Sequence, residues 1–198
     1  TYPYGNTFDF KTRIVGATDP FSYTVYIYNS EGVGVQNIPV KFYSKLKSAS
    51  TYTFESIINT DANGKYAISS TKDATVYDFQ IEISSLTISS PAVSDAQSFN
   101  QKVLSRSFNA RDYYRMDVNN DDNLTITDVY LVYAKIIGRA WRSPVPNYRI
   151  FTTTEWNTVS TSSSNLKSTY SGTQTITVSG VSNKGSSNYY LFRTGYRN

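Results

Sequence analysis

Cysteine and histidine are both missing from this chain of 198 residues. Without cysteine there is no disulfide framework and no thiol chemistry. Without histidine the chain lacks the commonest general base and the commonest transition-metal ligand. Nucleophilic triads in their usual forms are therefore excluded, and we expect a protein that is not an enzyme. A carboxylate pair for glycoside hydrolysis is the catalytic arrangement that the composition leaves open.

Charge and long apolar runs are also scarce. Charged residues make up 17% of the chain, the net charge is +4, and the basic residues are scattered without a Lys/Arg run. Nucleic-acid binding therefore has little support. No stretch approaches the roughly 20 apolar residues of a membrane span. The chain begins at Thr1, which we expect of a processed mature chain or of a piece of a longer one.

Aromatic and β-branched residues are abundant, with 18 Tyr and 10 Phe. Tyr, Thr, Val and Ile suit a pleated, half-buried surface, so the composition predicts a mainly β protein. A turn-rich segment at residues 1–7 is expected to be a free arm. Short alternating segments at this spacing predict an antiparallel β-sandwich. They cover residues 8–15, 21–29, 38–43, 52–59, 65–69 and 77–84.

Two stretches carry a family resemblance. Residues 37–43 read N-I-P-V-K-F-Y, and residues 59–68 read N-T-D-A-N-G-K-Y-A-I. They resemble the x-x-P-V-x-F strand and the T-D-x-x-G-x-Y hairpin of bacterial immunoglobulin-like domains in surface adhesins. The resemblance covers residues 9–85 and implies an immunoglobulin-like sandwich over residues 1–88, with an N-terminal arm. Such sandwiches mostly serve as spacers, so it says little about function.

An acidic stretch at residues 117–128 has the spacing of a 12-residue calcium loop. Oxygen-bearing side chains occupy loop positions 1, 3, 5, 9 and 12, and the aliphatic Leu124 occupies position 8. Alternate residues of such a loop turn inward, and the last ligand comes from the first turn of the next helix. The alternative interpretation is a solvated turn that caps that helix at Thr127 or Asp128. The predicted calcium ligands are Asp117, Asn119, Asp121, Asn123 (through its carbonyl), Thr125 (directly or through water) and Asp128.

This loop and the apolar helical pattern after it resemble a dockerin-type half EF-hand. In that family the loop reads D-x-N-x-D-G plus an aliphatic, ends in Asp, and is followed by a single helix. Asp122 departs from the usual Gly at position 6, where the sharp turn favours a positive φ. Asp128 also reaches less far than the Glu that closes most calcium loops.

A second helical pattern at residues 94–106 matches residues 127–139 at a constant offset of 33 residues. This resembles the tandem loop–helix units of dockerins, and implies a dockerin-like module with a C-terminal β hairpin over residues 89–198. The first unit keeps Asp95 but has Ser84, Leu86 and Ile88 at positions 1, 3 and 5. One calcium ion is therefore expected. The alternative is two unrelated helices with similar caps.

The remaining segments give local predictions. Aromatic and charged residues at 111–115 predict either a binding edge or tyrosines that pack on a helix stripe of Val129, Tyr133 and Ile136. A capping box at residues 152–155 predicts a short helix that carries Trp156. Strands are predicted at residues 174–181 and 189–196, where they either cover the helical module or pair with a neighbouring molecule.

Together these features predict a secreted, calcium-stabilised structural or adhesive protein of the cell surface, either a filament subunit or a repeat of a larger adhesin. Self-association through the terminal strands or the arm is expected, because an exposed sheet edge takes up a strand by main-chain hydrogen bonds. One alternative is a docking module for a cohesin-like surface protein. The other is a polysaccharide-binding module that stacks sugars on Trp141, Trp156 and exposed tyrosines, which otherwise pack in a Tyr-rich core.

Overall fold

Two β-sheets and a helical region make up the computed structural model, which describes residues 18–139, 144–181 and 183–197. The predicted strand at residues 8–15, the arm and Trp141 lie outside the described residues. The elements in chain order are β1 (Pro20–Asn29), β2 (Pro39–Leu46), β3 (Thr53–Asn59), β4 (Lys65–Asp73), β5 (Tyr77–Ile83), α1 (Val93–Ser105), α2 (Ala110–Met116), α3 (Ile126–Ile136), β6 (Tyr148–Thr152), α4 (Thr153–Thr161), β7 (Ile176–Ser179) and β8 (Gly185–Arg193).

The first strands follow the alternation of the sequence. In β1 the apolar residues Phe21, Tyr23, Val25 and Ile27 are all buried, as their spacing predicts. Successive side chains of a strand point to opposite faces, so this alternation places one face of β1 on the core. The strand pairs antiparallel with β4 and parallel with β8.

The strands form two four-stranded sheets. Sheet 1 has the order β4-β1-β8-β6, and sheet 2 has the order β3-β2-β5-β7. The main apolar cluster lies between them and draws on both sheets. The mainly β prediction is confirmed. Among the described strands, the parallel pairing of β1 with β8 departs from the predicted purely antiparallel arrangement.

The predicted C-terminal hairpin is wrong. Strands form near both predicted positions, but β7 pairs with β5 in sheet 2, whereas β8 lies between β1 and β6 in sheet 1. The physical reason is burial, since Ile176, Tyr189 and Leu191 complete the main apolar cluster between the sheets. Strands from both sides of residue 88 therefore share each sheet.

The helices α1, α2 and α3 lie between β5 and β6 in the chain. Helices α1 and α3 pack together around a second cluster that includes Phe99, Met116 and Val132. The two helices of the predicted repeat begin with the same kind of N-terminal cap. Asp95 Oδ2 accepts the Ala92 N–H at 2.8 Å, and Asp128 Oδ2 accepts the Thr125 N–H at 3.0 Å.

A third apolar cluster attaches helices α2 and α4 to sheet 1. It joins Tyr114 and Val159 to Phe151 and Phe192, which lie on β6 and β8. The capping box predicted for α4 is confirmed, because the Thr152 N–H donates to Glu155 Oε2 at 2.9 Å. Within the described ranges, no helix is long and apolar enough to cross a membrane.

Candidate metal centre

The loop at residues 117–128 joins α2 to α3. Asp117 is the residue that ends α2, and Asp128 lies in the first turn of α3. Asp122, at loop position 6, has φ +60°, and so does Asn120. The positive φ predicted for position 6 is therefore present, although Asp replaces Gly there. Asp tolerates this left-handed conformation better than most residues.

Asp117 and Asp128, at loop positions 1 and 12, are both buried. Asp117 accepts the N–H groups of Asp121 at 3.1 Å and Asp122 at 3.0 Å. Asp128 accepts the N–H of Val118 at 2.9 Å, in addition to the capping bond from Thr125. Each carboxylate thus uses backbone donors to hold the loop folded on itself.

Burial raises the pKa of the Asp128 carboxyl, and the negative charge of Asp117 raises it further. The backbone N–H donors of Thr125, Val118 and Asn119 act in the opposite direction, because they stabilise the ionised form. The negative charge of Asp117 at the start of the loop thus disfavours ionisation of Asp128 at its end. A cation beside the two carboxylates would offset this effect.

The other predicted ligands lie around the same loop, but their polar groups already make hydrogen bonds. Asn119 Nδ2 donates to Asp121 Oδ2 at 2.8 Å, and the Asn123 N–H donates to Asp121 Oδ1 at 2.9 Å. Thr125 Oγ1 accepts the N–H of Thr127 at 3.2 Å as a helix cap. Across residues 18–139, 144–181 and 183–197, no three Asp, Glu, His or Cys side chains form a group that could hold a metal ion.

Lys167 is the residue of this site that the sequence did not reveal. Its side chain is 9% exposed; Nζ contacts Asp117 Oδ2 and lies 3.3 Å from Asp122 Oδ1. Nearby, Asn165 Nδ2 donates to Asp122 Oδ1 at 3.0 Å. Lys167 follows Asp117 by 50 residues and lies at the end of a Ser/Thr-rich stretch. No local signal in the sequence identifies it.

The ligand chemistry of the loop fits calcium, since all six predicted residues offer oxygen atoms and Ca²⁺ takes 6–8 oxygen ligands. The Lys167 ammonium also indicates that this position accepts a cation. Because that ammonium occupies Asp117 Oδ2, a metal ion bound through this oxygen has to displace it. The residue types of the loop therefore fit calcium. In this structure, however, the Lys167 ammonium contacts the Asp117 oxygen that a metal ion would use.

A polar junction connects α2 to the sandwich two residues before the loop. The buried Arg115 contacts Asp112 Oδ1 at 2.8 Å through Nη2, and Glu31 Oε1 at 2.9 Å and Ser30 Oγ at 3.2 Å through Nη1. Nη1 also donates to the carbonyl oxygen of Arg197. Ser30 and Glu31 directly follow β1, so a single guanidinium joins the helices, the sandwich and the C-terminal segment.

The aromatic residues near the junction are engaged in packing. Tyr113 packs in the second cluster with Val129, as one of the two predictions for residues 111–115 has it. Tyr114 instead lies 5.0 Å from Phe151, centroid to centroid, and belongs to the third cluster. Trp156 meets Tyr190 edge-on at 4.7 Å. These contacts favour the packing interpretation over sugar stacking for these rings.

Comparison with known proteins finds no matching family model, no matching curated protein and no matching solved structure. The likeness to dockerin loops and adhesin domains therefore rests on short motifs alone. Function has to be argued from the geometry of this chain.

Proposed function

We propose that this chain is a calcium-stabilised structural module, a class of protein that acts through its shape and contacts rather than through catalysis. More particularly, we propose an extracellular surface protein that serves as a subunit of a filament or as a repeat of a larger adhesin. The observation that carries the proposal is the buried pair Asp117 and Asp128 at the two ends of one loop, with the Lys167 ammonium in contact with Asp117.

The position of the loop supports a stabilising role. One end continues from α2, whose Arg115 is tied to Ser30 and Glu31 after β1. The other end begins α3, which packs on α1. A cation held by the loop therefore restrains the helix pair and the junction with the sandwich together. Asp117, Asn119, Asp121, Asn123, Thr125 and Asp128 are the residues that would hold it.

An extracellular setting suits this loop. Weak calcium sites, with dissociation constants of roughly 10⁻⁴–10⁻³ M, are typical of extracellular modules. Here the ligand at position 12 is Asp, and a lysine competes for position 1. A chain without disulfides also gains from another source of rigidity, and bound calcium supplies it by stabilising the folded state through mass action.

Calcium and a chelator should give different melting temperatures. Millimolar calcium is about 1–10 times the dissociation constant of such a weak site and stabilises the folded state by about 0.4–1.4 kcal/mol. For a chain of this size that corresponds to about 1–6 °C. Thermal melting followed by circular dichroism, in millimolar calcium and then in EGTA, measures the difference, with magnesium as the control ion. Equal melting temperatures in calcium and EGTA would refute the calcium proposal.

Replacing Lys167 by Met should raise the calcium affinity about tenfold or more. The variant removes the ammonium that competes for Asp117, and a hydrogen bond to a charged group contributes about 1.5–3 kcal/mol. Calorimetric titration with calcium gives the affinity directly. The matched control is Lys184→Met, because Lys184 is an exposed lysine paired with Asp19 on another part of the molecule. An unchanged affinity in Lys167→Met would show that Lys167 does not oppose the metal.

Docking on a protein partner is the second candidate, favoured by apolar side chains on the helix pair. Leu104 and Tyr130 are 76% and 58% exposed, and Ile126 and Ile137 are similarly exposed. Titration with a recombinant cohesin domain tests this function. Saturable one-to-one binding that is lost in Tyr130→Lys would support it, and absence of binding at high micromolar concentration would reject that partner.

A further inference from the structure

Among the described strands, β3 forms one edge of sheet 2. Within the described part of the chain it pairs only with β2, and six of its seven residues are exposed. Natural edge strands are protected by lysines, prolines, β-bulges or a covering segment. β3 has no Lys or Pro, and its single charged residue, Glu55, is engaged by Lys72. The pairing of β3 with β2 is irregular at Glu55 and regular over residues 56–59. The neighbouring edge strand β4 does carry Lys65 and Lys72.

The β3 edge is also apolar on both faces. Phe54 is 54% exposed, and Ile57 and Ile58 are each 51% exposed. Ile58 stands opposite the fully buried Val40, so it points to the core side of the sheet but remains half uncovered. Ile57 stands opposite Lys41 on the outer side. A strand added beside β3 would cover both faces and satisfy the free main-chain groups.

The chain itself contains a segment that suits this edge. Residues 8–15 alternate, with Phe8, Phe10 and Ile14 on one face and charged residues on the other. Their length of eight residues matches the seven of β3. The apolar face complements the half-covered core beside Ile58. The aliphatic stems of Lys11 and Arg13 suit the outer face, since long basic side chains cover apolar surface while their charge stays in water.

The place where residues 8–15 join the described fold favours a donor strand from another molecule. The chain enters β1 at Pro20, which pairs with Asp73 at the end of β4. At this end of β4, Lys72 contacts Glu55 of β3, so β1 begins close to the β3 edge. From β1 to a position outside β3 the chain must cross two strand spacings and one sheet separation, about 14 Å. Residues 16–19 span at most about 14 Å. Closure onto the chain's own β3 leaves a nearly extended linker, and short, strained hinges promote exchange between molecules.

We propose that residues 8–15 of one copy add as a strand to the β3 edge of a second copy. The inference rests on the proposed function as a self-associating surface protein, and identifies which surfaces meet. Donor and acceptor are different parts of the same chain, so the contact is head-to-tail and generates a closed ring or an open filament.

Disulfide trapping tests the contact directly, because the natural chain has no cysteine. A Thr12→Cys copy is mixed with a Ser56→Cys copy under mild oxidation. We expect a disulfide-linked pair on a non-reducing gel. The matched control acceptor is Ala67→Cys on the edge strand β4, which should give at least tenfold less product. Equal yields from the two acceptors would overturn the proposal, as would a Thr12→Cys/Ser56→Cys chain that forms only an internal disulfide.

A charge on the acceptor edge provides the second test. Light scattering after gel filtration should show concentration-dependent assembly of the natural chain. Ile57→Lys adds an edge lysine without touching the core and should abolish that assembly. The control Val33→Lys, at an equally exposed apolar residue in a turn, should assemble normally. Assembly that persists in Ile57→Lys overturns the β3 contact but leaves self-association standing. A natural chain that stays monomeric at millimolar concentration overturns both.

Discussion

Replacing Arg115 by Met is expected to lower the free energy of unfolding by about 3–5 kcal/mol. Arg115 and Asp112 are both buried and form an ion pair. Without Arg115, the buried Asp112 carboxylate keeps the ion pair with Lys102, whose side chain is 36% exposed, but loses its buried partner. Breaking a buried ion pair costs far more than an exposed ion pair contributes. The same change also frees Ser30 and the carbonyl of Arg197 from their donor.

Urea unfolding, followed in parallel by circular dichroism and tryptophan fluorescence, measures this loss. Arg111→Met is the matched control, since Arg111 also contacts Glu31 and Ser30 but is more exposed. We expect the control to lose about 1 kcal/mol or less. If the two variants were equally stable, Arg115 would not hold the helices to the sandwich.

Replacing Asp128 by Ala is expected to lower the free energy of unfolding by about 2–4 kcal/mol in EGTA and to remove the response to calcium. Loss of the helix cap costs about 1 kcal/mol. The hydrogen bond from the Val118 N–H to the carboxylate is lost as well, and a hydrogen bond to a charged group contributes about 1.5–3 kcal/mol. In the proposed calcium site Asp128 supplies the closing ligand at position 12, so the variant should bind no ion.

The predicted repeat supplies the matched control for this variant. Asp95→Ala removes the equivalent cap of α1, where Asp95 also accepts the N–H of Arg197 near the surface. This variant should lose about 1 kcal/mol and keep its calcium response. Melting curves with calcium and with EGTA compare the two directly. A full calcium response in Asp128→Ala would mean that the loop is only a helix cap.

Local features of this protein are predictable from short stretches. The burial of Phe21 and Val25 follows from alternation within β1, and the cap at Thr152 follows from the Glu three residues later. The positive φ of Asp122 follows from its position in the loop. In each case the interacting groups lie within a few residues of one another, so the pattern contains both partners.

Pairings between distant segments were decided only by the tertiary structure. The alternation of β8 predicts a strand, but it does not say that β8 lies between β1 and β6. A period of two identifies which face is apolar and leaves the neighbouring strand unspecified. The hairpin prediction failed for this reason. It paired β7 with β8 because they are consecutive in sequence, whereas burial of their apolar residues pairs β7 with β5 and β8 with β1 and β6.

The candidate site shows the same difference between features set by neighbouring residues and contacts between distant ones. The sequence by itself determined the loop, its six oxygen-bearing residues and the helix that follows, because these lie within twelve residues. Only the tertiary structure placed Lys167 on Asp117 and Arg115 on Glu31, across 50 and 84 residues of chain. Such ion pairs depend on which segments the apolar clusters bring together. The order of charged residues along the chain does not indicate which distant residues will form an ion pair.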